Sequence, residues 1–338
     1  MKNTRKNILS GLAALLLIAG TMPAFSGELT GSINEQIKQI QDAISQKGAK
    51  WVAGETSVTR MPKDRWASLV GLNMNTMLGA PTLTVAAGKV PEAIDWRNNN
   101  GNFVTPVRDQ MKCGSCWAFG MTGSLESYVL INQNRPGENL DLSEQVMVSC
   151  SGAGSCQGGQ LKGDYIVNTG LPLETVYPYT ATDGTCGSAT PGWEATAYKA
   201  DKWGTISWPD PEAMKAAVVQ YGPITTSMMV YEDFMAYKSG VYSYTTGKKL
   251  GGHAIILVGY NDAEQAFICK NSWTEKWGDK GYFKVAYSEV YNFMATMFGL
   301  QTIAFQANTA GKALPASFNA DNTWQRVQPM FDALKGNF

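Results

Sequence analysis

Three residues of this 338-residue chain have the types and spacing for covalent catalysis: Cys116, His253 and Asn271. Cys116 stands in Gln110-Met111-Lys112-Cys113-Gly114-Ser115-Cys116-Trp117-Ala118-Phe119, at the start of a helix predicted over Cys116 to Asn132. A thiol attacks as its thiolate, and the positive end of a helix and a nearby imidazolium both favour that form. The imidazole has one source, because His253 is the only histidine. It lies in Leu250-Gly251-Gly252-His253-Ala254, a predicted loop-to-strand junction. Asn271, in Lys270-Asn271-Ser272-Trp273, can accept a hydrogen bond from the far ring N–H, leaving the near nitrogen to share a proton with sulfur. Trp273 can cover that bond and keep water away. Each residue also has a plainer reading. A CxxC pair serves redox and zinc sites, a lone histidine is ordinarily structural, and an asparagine after a strand is ordinarily a turn residue. One histidine and scattered cysteines make a poor set of four zinc ligands, and a redox pair ordinarily has its aromatic before the first cysteine. Taken together, the three residues read as a triad.

The elements that must position them change character along the chain. In the helix after Cys116, Ala118, Met121, Leu125 and Tyr128 share one face. A Gly- and Cys-rich loop region covers Ser149 to Gly187, and from about Thr205 the pattern turns to strands. Ala254 to Val258 reads as a strand buried on both faces, followed by Ala266 to Lys270 and Gly281 to Tyr287. A helical half followed by a β half predicts an α+β fold of two lobes. Upstream, Ile33, Ile37, Ile40 and Ile44 form one helical stripe that Gly48 can end. Trp51-Val52-Ala53-Gly54 and a second helix-like piece with Trp66, Leu69 and Val70 follow, then a small-residue linker from Thr82 to Gly88. Two lone amphipathic elements cannot build a core, so their apolar faces must rest on the remainder of the chain. The stretch from Ala53 to Asn75 is then expected to run along a cleft. The tail from Gln306 to Phe338 contains one predicted helix, Asp321 to Leu334, with Trp324, Val327, Phe331 and Leu334 on one side.

Residues 1–26 read as a secretory signal: a basic start at Lys2, Arg5 and Lys6, an apolar run from Ile8 to Ile18, and small residues at Ala24-Phe25-Ser26. The run is short for a bilayer span, and nothing later resembles one. Lys+Arg equals Asp+Glu, so no overall field recruits nucleic acid or an anionic membrane. Export permits disulfides among the six cysteines.

The Cys-Gly-Ser-Cys-Trp motif resembles the nucleophile signature of the papain family of cysteine peptidases, and His253 follows Cys116 at the separation that family shows. Val90-Pro91-Glu92-Ala93-Ile94-Asp95-Trp96-Arg97, Leu142-Ser143-Glu144-Gln145, Cys156-Gln157-Gly158-Gly159 and Trp277-Gly278-Asp279-Lys280-Gly281-Tyr282 resemble further family landmarks, from about Val90 to about Phe305. The resemblance implies a papain-like two-lobed fold with the cleft between a helical lobe (about 90–204) and a β-barrel-like lobe (about 205–305). It implies that Gln110 and the Cys116 N–H form an oxyanion hole, and that disulfides join Cys113 to Cys156 and Cys150 to Cys186. It also implies that Gly158, Gly159, Leu161, Ser227, Gly251, Ala254, Trp273 and Ile303 bind substrate, with Ile303 at the floor of an uncharged pocket. Cys269, inside an apolar strand, reads as a buried hydrophobe. The chain departs from the family's pattern at several points. Gly252 replaces the aspartate often found before the base, and Phe298 stands where a third disulfide is common. The short segment with Trp51-Val52-Ala53-Gly54 resembles a cathepsin-B-type pro-segment, yet no His-bearing occluding loop follows.

The expectation is therefore a secreted, monomeric zymogen: signal 1–26, pro-segment 27–89 acting as an intramolecular inhibitor, peptidase domain 90–305, and a tail 306–338 of unassigned role. Its substrates are peptides or proteins, and neither metal nor organic cofactor is called for. A silent binding protein on the same fold would lack one of Gln110, Cys116, His253 or Asn271. An amide transferase would share all four and differ only in its acceptor.

Overall fold

The structure, a computed structural model, describes residues 27–74, 79–85, 89–206, 210–292 and 297–308. The signal and the predicted helix 321–334 lie outside these residues. The chain opens with helix α1 (Ile33–Lys47), started by a capping box between Ser32 and Glu35 and ended by Gly48 in the left-handed conformation at φ 63°. Strand β1 (Lys50–Ala53) follows, then a 3-10 turn over Lys63–Leu69. Two short strands come next, β2 (Thr82–Leu83) and β3 (Ala93–Asp95). The helical half holds α2 (Cys116–Asn132), α3 (Glu144–Cys150), the small hairpin β4 (Gly154–Ser155) and β5 (Gly158–Gly159), and α4 (Gly163–Asn168). The second half comprises β6 (Lys202–Ile206), α5 (Pro211–Tyr221), β7 (Ile224–Tyr231), β8 (Tyr237–Tyr242), β9 (Lys249–Asn261), β10 (Ala266–Lys270), β11 (Tyr282–Ala286) and β12 (Thr302–Gln306).

Among the described residues one ten-stranded sheet runs β1-β8-β11-β10-β9-β7-β12-β6-β2, with β3 added to β9. The helical half and the β half anticipated from the sequence are both present, but they interlock. β3 crosses from the start of the helical half to pair Asp95 with Gly259, and Phe305 of β12 reaches back to meet the Tyr128 ring edge-on. The 82–88 stretch, expected to be a bare linker, has Thr82 and Leu83 paired with Thr205 and Ile206. Gly204 makes this possible, since a β-carbon there would stand 2.8 Å from Leu83 Cγ.

α2 differs from the one-faced helix that its spacing predicts, because every residue from Cys116 to Leu130 is buried. The reason lies in its small residues. A β-carbon on Gly120 would meet Thr225 Cγ2 at 2.9 Å, and one on Gly123 would meet Ile256 Cδ1 at 2.4 Å. Two mid-helix glycines cost about 1 kcal/mol each, and here they let β7 and β9 pack directly on the helix backbone. Ser124 Oγ then bonds Thr225 Oγ1 at 2.6 Å across the same contact. The helix is the shared wall of the two lobes.

The N-terminal segment has no core of its own. Trp51 packs on the rings of Tyr237 and Tyr242, and its indole N–H donates to the Ser243 carbonyl at 3.0 Å. β1 pairs antiparallel with β8, Lys63 Nζ lies 2.7 Å from the fully buried Glu232 carboxylate, and Leu29 N–H donates to the other Glu232 oxygen at 2.8 Å. No helix among the described residues is long and apolar enough to cross a membrane.

Candidate active site

Cys116 is the first residue of α2 and is wholly buried. The turn before it is held rigid. Cys113 is joined to Cys156, the Gly114 N–H donates to the Cys156 carbonyl at 2.8 Å, and Ser115 Oγ bonds Tyr179 Oη at 2.6 Å. The second disulfide joins Cys150 to Cys186, so Cys116 and the buried Cys269 are the free thiols. Phe298, at the position where a third bridge would fall, is buried and stacks on Phe267 at 5.7 Å.

His253 lies inside β9, opposite Met228 of β7, and not at a loop-to-strand junction. Gly251 and Gly252 continue the strand upstream opposite Val230 and Met229 of β7, and β-carbons there would stand 3.0 Å from Val70 Cγ2 and 2.4 Å from Leu72 O. His253 Nε2 bonds Asn271 Oδ1 at 2.8 Å, and the ring stacks on Trp273 at 4.7 Å. The Asn271 acceptor therefore fixes the proton on Nε2 and leaves Nδ1, which has no hydrogen-bond partner, as the basic nitrogen. Asn271 follows directly on β10, and its Oδ1 also accepts from the Ser272 N–H at 2.8 Å.

Gln110 is buried and its amide is oriented from behind. Oε1 accepts from Ser272 Oγ at 2.7 Å and from Trp273 Nε1 at 3.1 Å, so Nε2 faces the opposite way. There it donates to the Cys113 carbonyl at 2.9 Å and to the Leu69 carbonyl at 3.1 Å. Trp273 thus contacts both the imidazole ring and the Gln110 amide.

The cleft is filled by residues 69–74. Leu72 N–H donates to Gly252 O at 2.9 Å, Gly159 N–H donates to Gly71 O at 2.8 Å, and Asn73 N–H donates to Gly159 O at 2.8 Å. Leu72 makes a parallel bridge to Gly159 and an antiparallel bridge to Gly252, so it ties the two lobes together. Bare backbone is required on both sides, since a β-carbon on Gly71 would stand 1.9 Å from Gly114 O and one on Gly158 would stand 2.8 Å from Gly71 O. Leu72 is buried in the apolar cluster that contains Leu161, Ala254 and Ile303. Gly251 faces Val70 Cγ2. Ser227 is buried and its hydroxyl accepts from the Gln301 N–H at 2.9 Å, which holds the chain before Ile303.

Sequence reasoning did not single out Gln301, whose Nε2 donates to Asn73 O at 3.0 Å, or Tyr179, whose hydroxyl donates to Gln110 O at 2.9 Å. No local pattern marks either residue.

Covering the cleft also changes its electrostatics. The sequence predicts a thiol made acidic by the helix terminus. Burial instead pushes Cys116 up to about 11, although the backbone N–H groups of Ala254, Gly71, Trp117 and Leu72 pull the other way. Burial pulls His253 down to about 4, against the opposing hydrogen bond to Asn271. In this closed form both groups are neutral at pH 7.

A buried free thiol opening a helix, an imidazole oriented by an amide and a second buried amide occur together on a two-lobed α+β fold. Residues 90–301 match the family model described as papain family cysteine protease, and the chain belongs to that family. It is 41% identical over 209 residues to pro-cathepsin H of Bos taurus, covering 59% of this chain and 60% of the relative. It is 34% identical over 267 residues to cathepsin B-like CP3 of Giardia intestinalis, covering 72% of this chain and 86% of that one. Among solved structures it resembles digestive procathepsin L2 proteinase from Tenebrio molitor larval midgut, with TM-score 0.69, 26% identity, and coverage of 81% of this chain and 91% of that one. The match spans about three fifths of the length of the mammalian relatives, at 60% and 61%.

Proposed function

We propose that the protein is a secreted cysteine endopeptidase made as a zymogen, in which 1–26 is a removable signal, 27–89 an inhibitory pro-segment and 90–305 the enzyme. The observation that carries the reading is the convergence of Cys116, Gln110 and the Asn271-oriented His253 on one cleft that residues 69–74 fill. In the open enzyme the His253 Nδ1 takes the thiol proton, and sulfur attacks the peptide carbonyl. Gln110 Nε2 and the Cys116 N–H hold the developing oxyanion. Imidazolium then protonates the leaving amine, and water resolves the acyl-enzyme. The segment escapes this attack because the groups it turns toward sulfur are the N–H donors of Gly71 and Leu72. The Leu72 side chain marks the main specificity pocket, which favours Leu, Val or Phe two residues before the cut.

The test uses the purified precursor in mildly acidic reducing buffer with an amino-blocked dipeptidyl fluorogenic amide. Activity should appear with cleavage between about Thr82 and Pro91, be titrated to zero by an epoxide thiol inhibitor, and be absent from Cys116→Ala. Cleavage only of substrates with a free amino terminus refutes the endopeptidase assignment. Full activity in uncleaved precursor refutes latency.

A further inference from the structure

Behind the site lies a buried charged chain that the mechanism above does not use. Glu126 sits ten residues along α2 from Cys116, and Lys270 directly precedes Asn271; they are 1% and 5% exposed. Lys270 Nζ donates to Thr105 Oγ1 at 3.0 Å. Thr105 Oγ1 donates in turn to Glu126 Oε2, and the other Glu126 oxygen accepts from Leu142 N–H at 3.0 Å. The ammonium lies over the α2 backbone, 3.8 Å from where a Gly123 β-carbon would stand. Asn271 lines a pocket of about 20 Å³ together with Arg108, Glu126, Glu144 and Lys270. The chain therefore links the helix that carries the nucleophile to the strand end that carries the residue orienting the base.

Stability alone is a weak reason for this arrangement. Burial pushes Glu126 up and pulls Lys270 down to about 8, with each the other's chief compensating charge. Apolar replacements of buried ion pairs are often neutral or stabilising, whereas removing one partner leaves an uncompensated charge. What such a chain does supply is a fixed registration. α2 meets β9 through glycines and aliphatic groups, which resist separation but not small sliding. A hydrogen-bonded chain of fixed length resists both.

Building on the peptidase reading, we propose that Lys270, Thr105 and Glu126 are positioning residues that set the height of Asn271, and through it the His253 ring, over Cys116. A misplacement of about 1 Å in such a constellation costs on the order of a hundredfold in rate.

The experiment compares mature wild-type enzyme with the Glu126→Gln/Lys270→Met double variant, which removes both charges of the pair together, and with Lys270→Arg and Thr105→Val. Thermal unfolding establishes that each is folded. In the double variant kcat should fall 10- to 100-fold with KM within twofold. Lys270→Arg should recover most of that loss, and Thr105→Val should fall in the same sense by at least fivefold. A folded double variant with kcat within twofold of wild type overturns the proposal. If the double variant does not fold, Thr105→Val decides in the same way. A wild-type enzyme without peptide turnover overturns the peptidase reading itself and this inference with it. A stable, fully active double variant overturns only the positioning role.

Discussion

The Leu69 carbonyl oxygen accepts a hydrogen bond from Gln110 Nε2 at 3.1 Å, so the N-terminal segment occupies the donor that a reacting carbonyl requires. On the proposed peptidase reading, one residue serves latency and catalysis in turn. Gln110→Ala in the mature enzyme should lower kcat by roughly a hundred- to a thousandfold, because that donor acts on charge present only in the transition state. KM should change little. Steady-state kinetics on a single fluorogenic substrate measures both, and an unchanged kcat would remove Gln110 from the oxyanion hole.

Gly71 has no room for a side chain, since a β-carbon would stand 1.9 Å from Gly114 O. Gly71→Ala should therefore prevent the segment from seating while leaving residues 90–305 untouched. The uncleaved variant should hydrolyse small substrates, and its Cys116 should react with iodoacetamide at least tenfold faster than in the wild-type precursor. Cys269, buried within β10, should stay unlabelled in both. Peptide mapping after limited alkylation distinguishes the two thiols, and equal rates in the two precursors would sink the prediction.

Closure should weaken in acid. Burial lowers His253 to about 4 in the closed form, so this neutral imidazole resists protonation until the cleft opens. An open, hydrated imidazole takes up a proton below about 6.5. Opening and proton uptake are thus coupled: the closed form keeps its full margin above that pH and loses it progressively down to about 4. The loss is on the order of 3 kcal/mol for this group. Cys116, raised to about 11, contributes with the opposite sense, because an open thiol ionises first as pH rises. Hydrogen exchange at the Leu72 and Asn73 amides of a Cys116→Ser precursor, corrected for the intrinsic rate, should show protection falling between pH 6.5 and 4. Constant protection across that range would separate closure from His253.

The pocket around Leu72 should set selectivity. Leu72 shares an apolar cluster with Leu161, Ala254 and Ile303. Burying a Leu or Phe side chain there is worth roughly 1.5 to 3 kcal/mol, whereas an unpaired buried cation costs more than it gains. A positional-scanning library should favour Leu, Val or Phe over Arg two residues before the cut by at least tenfold in kcat/KM. Equal cleavage with Arg would show that the pocket has been misread.

Much of the site was legible because its chemistry constrains local sequence. A lone histidine, a cysteine opening a helix, and an Asn-Ser-Trp triplet after an apolar strand leave few other arrangements. Three features were not legible, and each arises from packing between distant segments. Spacing gave α2 one buried face, but Gly120 and Gly123 admit β7 and β9 onto another. His253 reads as the start of a strand until Met229 and Val230 of β7 pair with Gly252 and Gly251 and carry β9 upstream. The raised Cys116 and lowered His253 follow from burial, whereas the residues around Cys116 point to an acidic thiol. Lys270 and Glu126 are ordinary charges in sequence, with nothing local to announce their burial.

The pairing of β1 with β8 also fixes an order of events during synthesis. Trp51 leaves the ribosome early, yet its indole partner Ser243 lies 192 positions later in the chain. With no core of its own, the leading segment must wait for most of the polypeptide before it can dock. Contacts so far apart form slowly, because a long loop must close before they return any free energy. The two lobes share α2 and interlock through β3 and β12, so β8 and the cleft become available only as that framework assembles. A segment made early is thus among the last to settle, and it closes over Cys116 as the surroundings of that residue take shape.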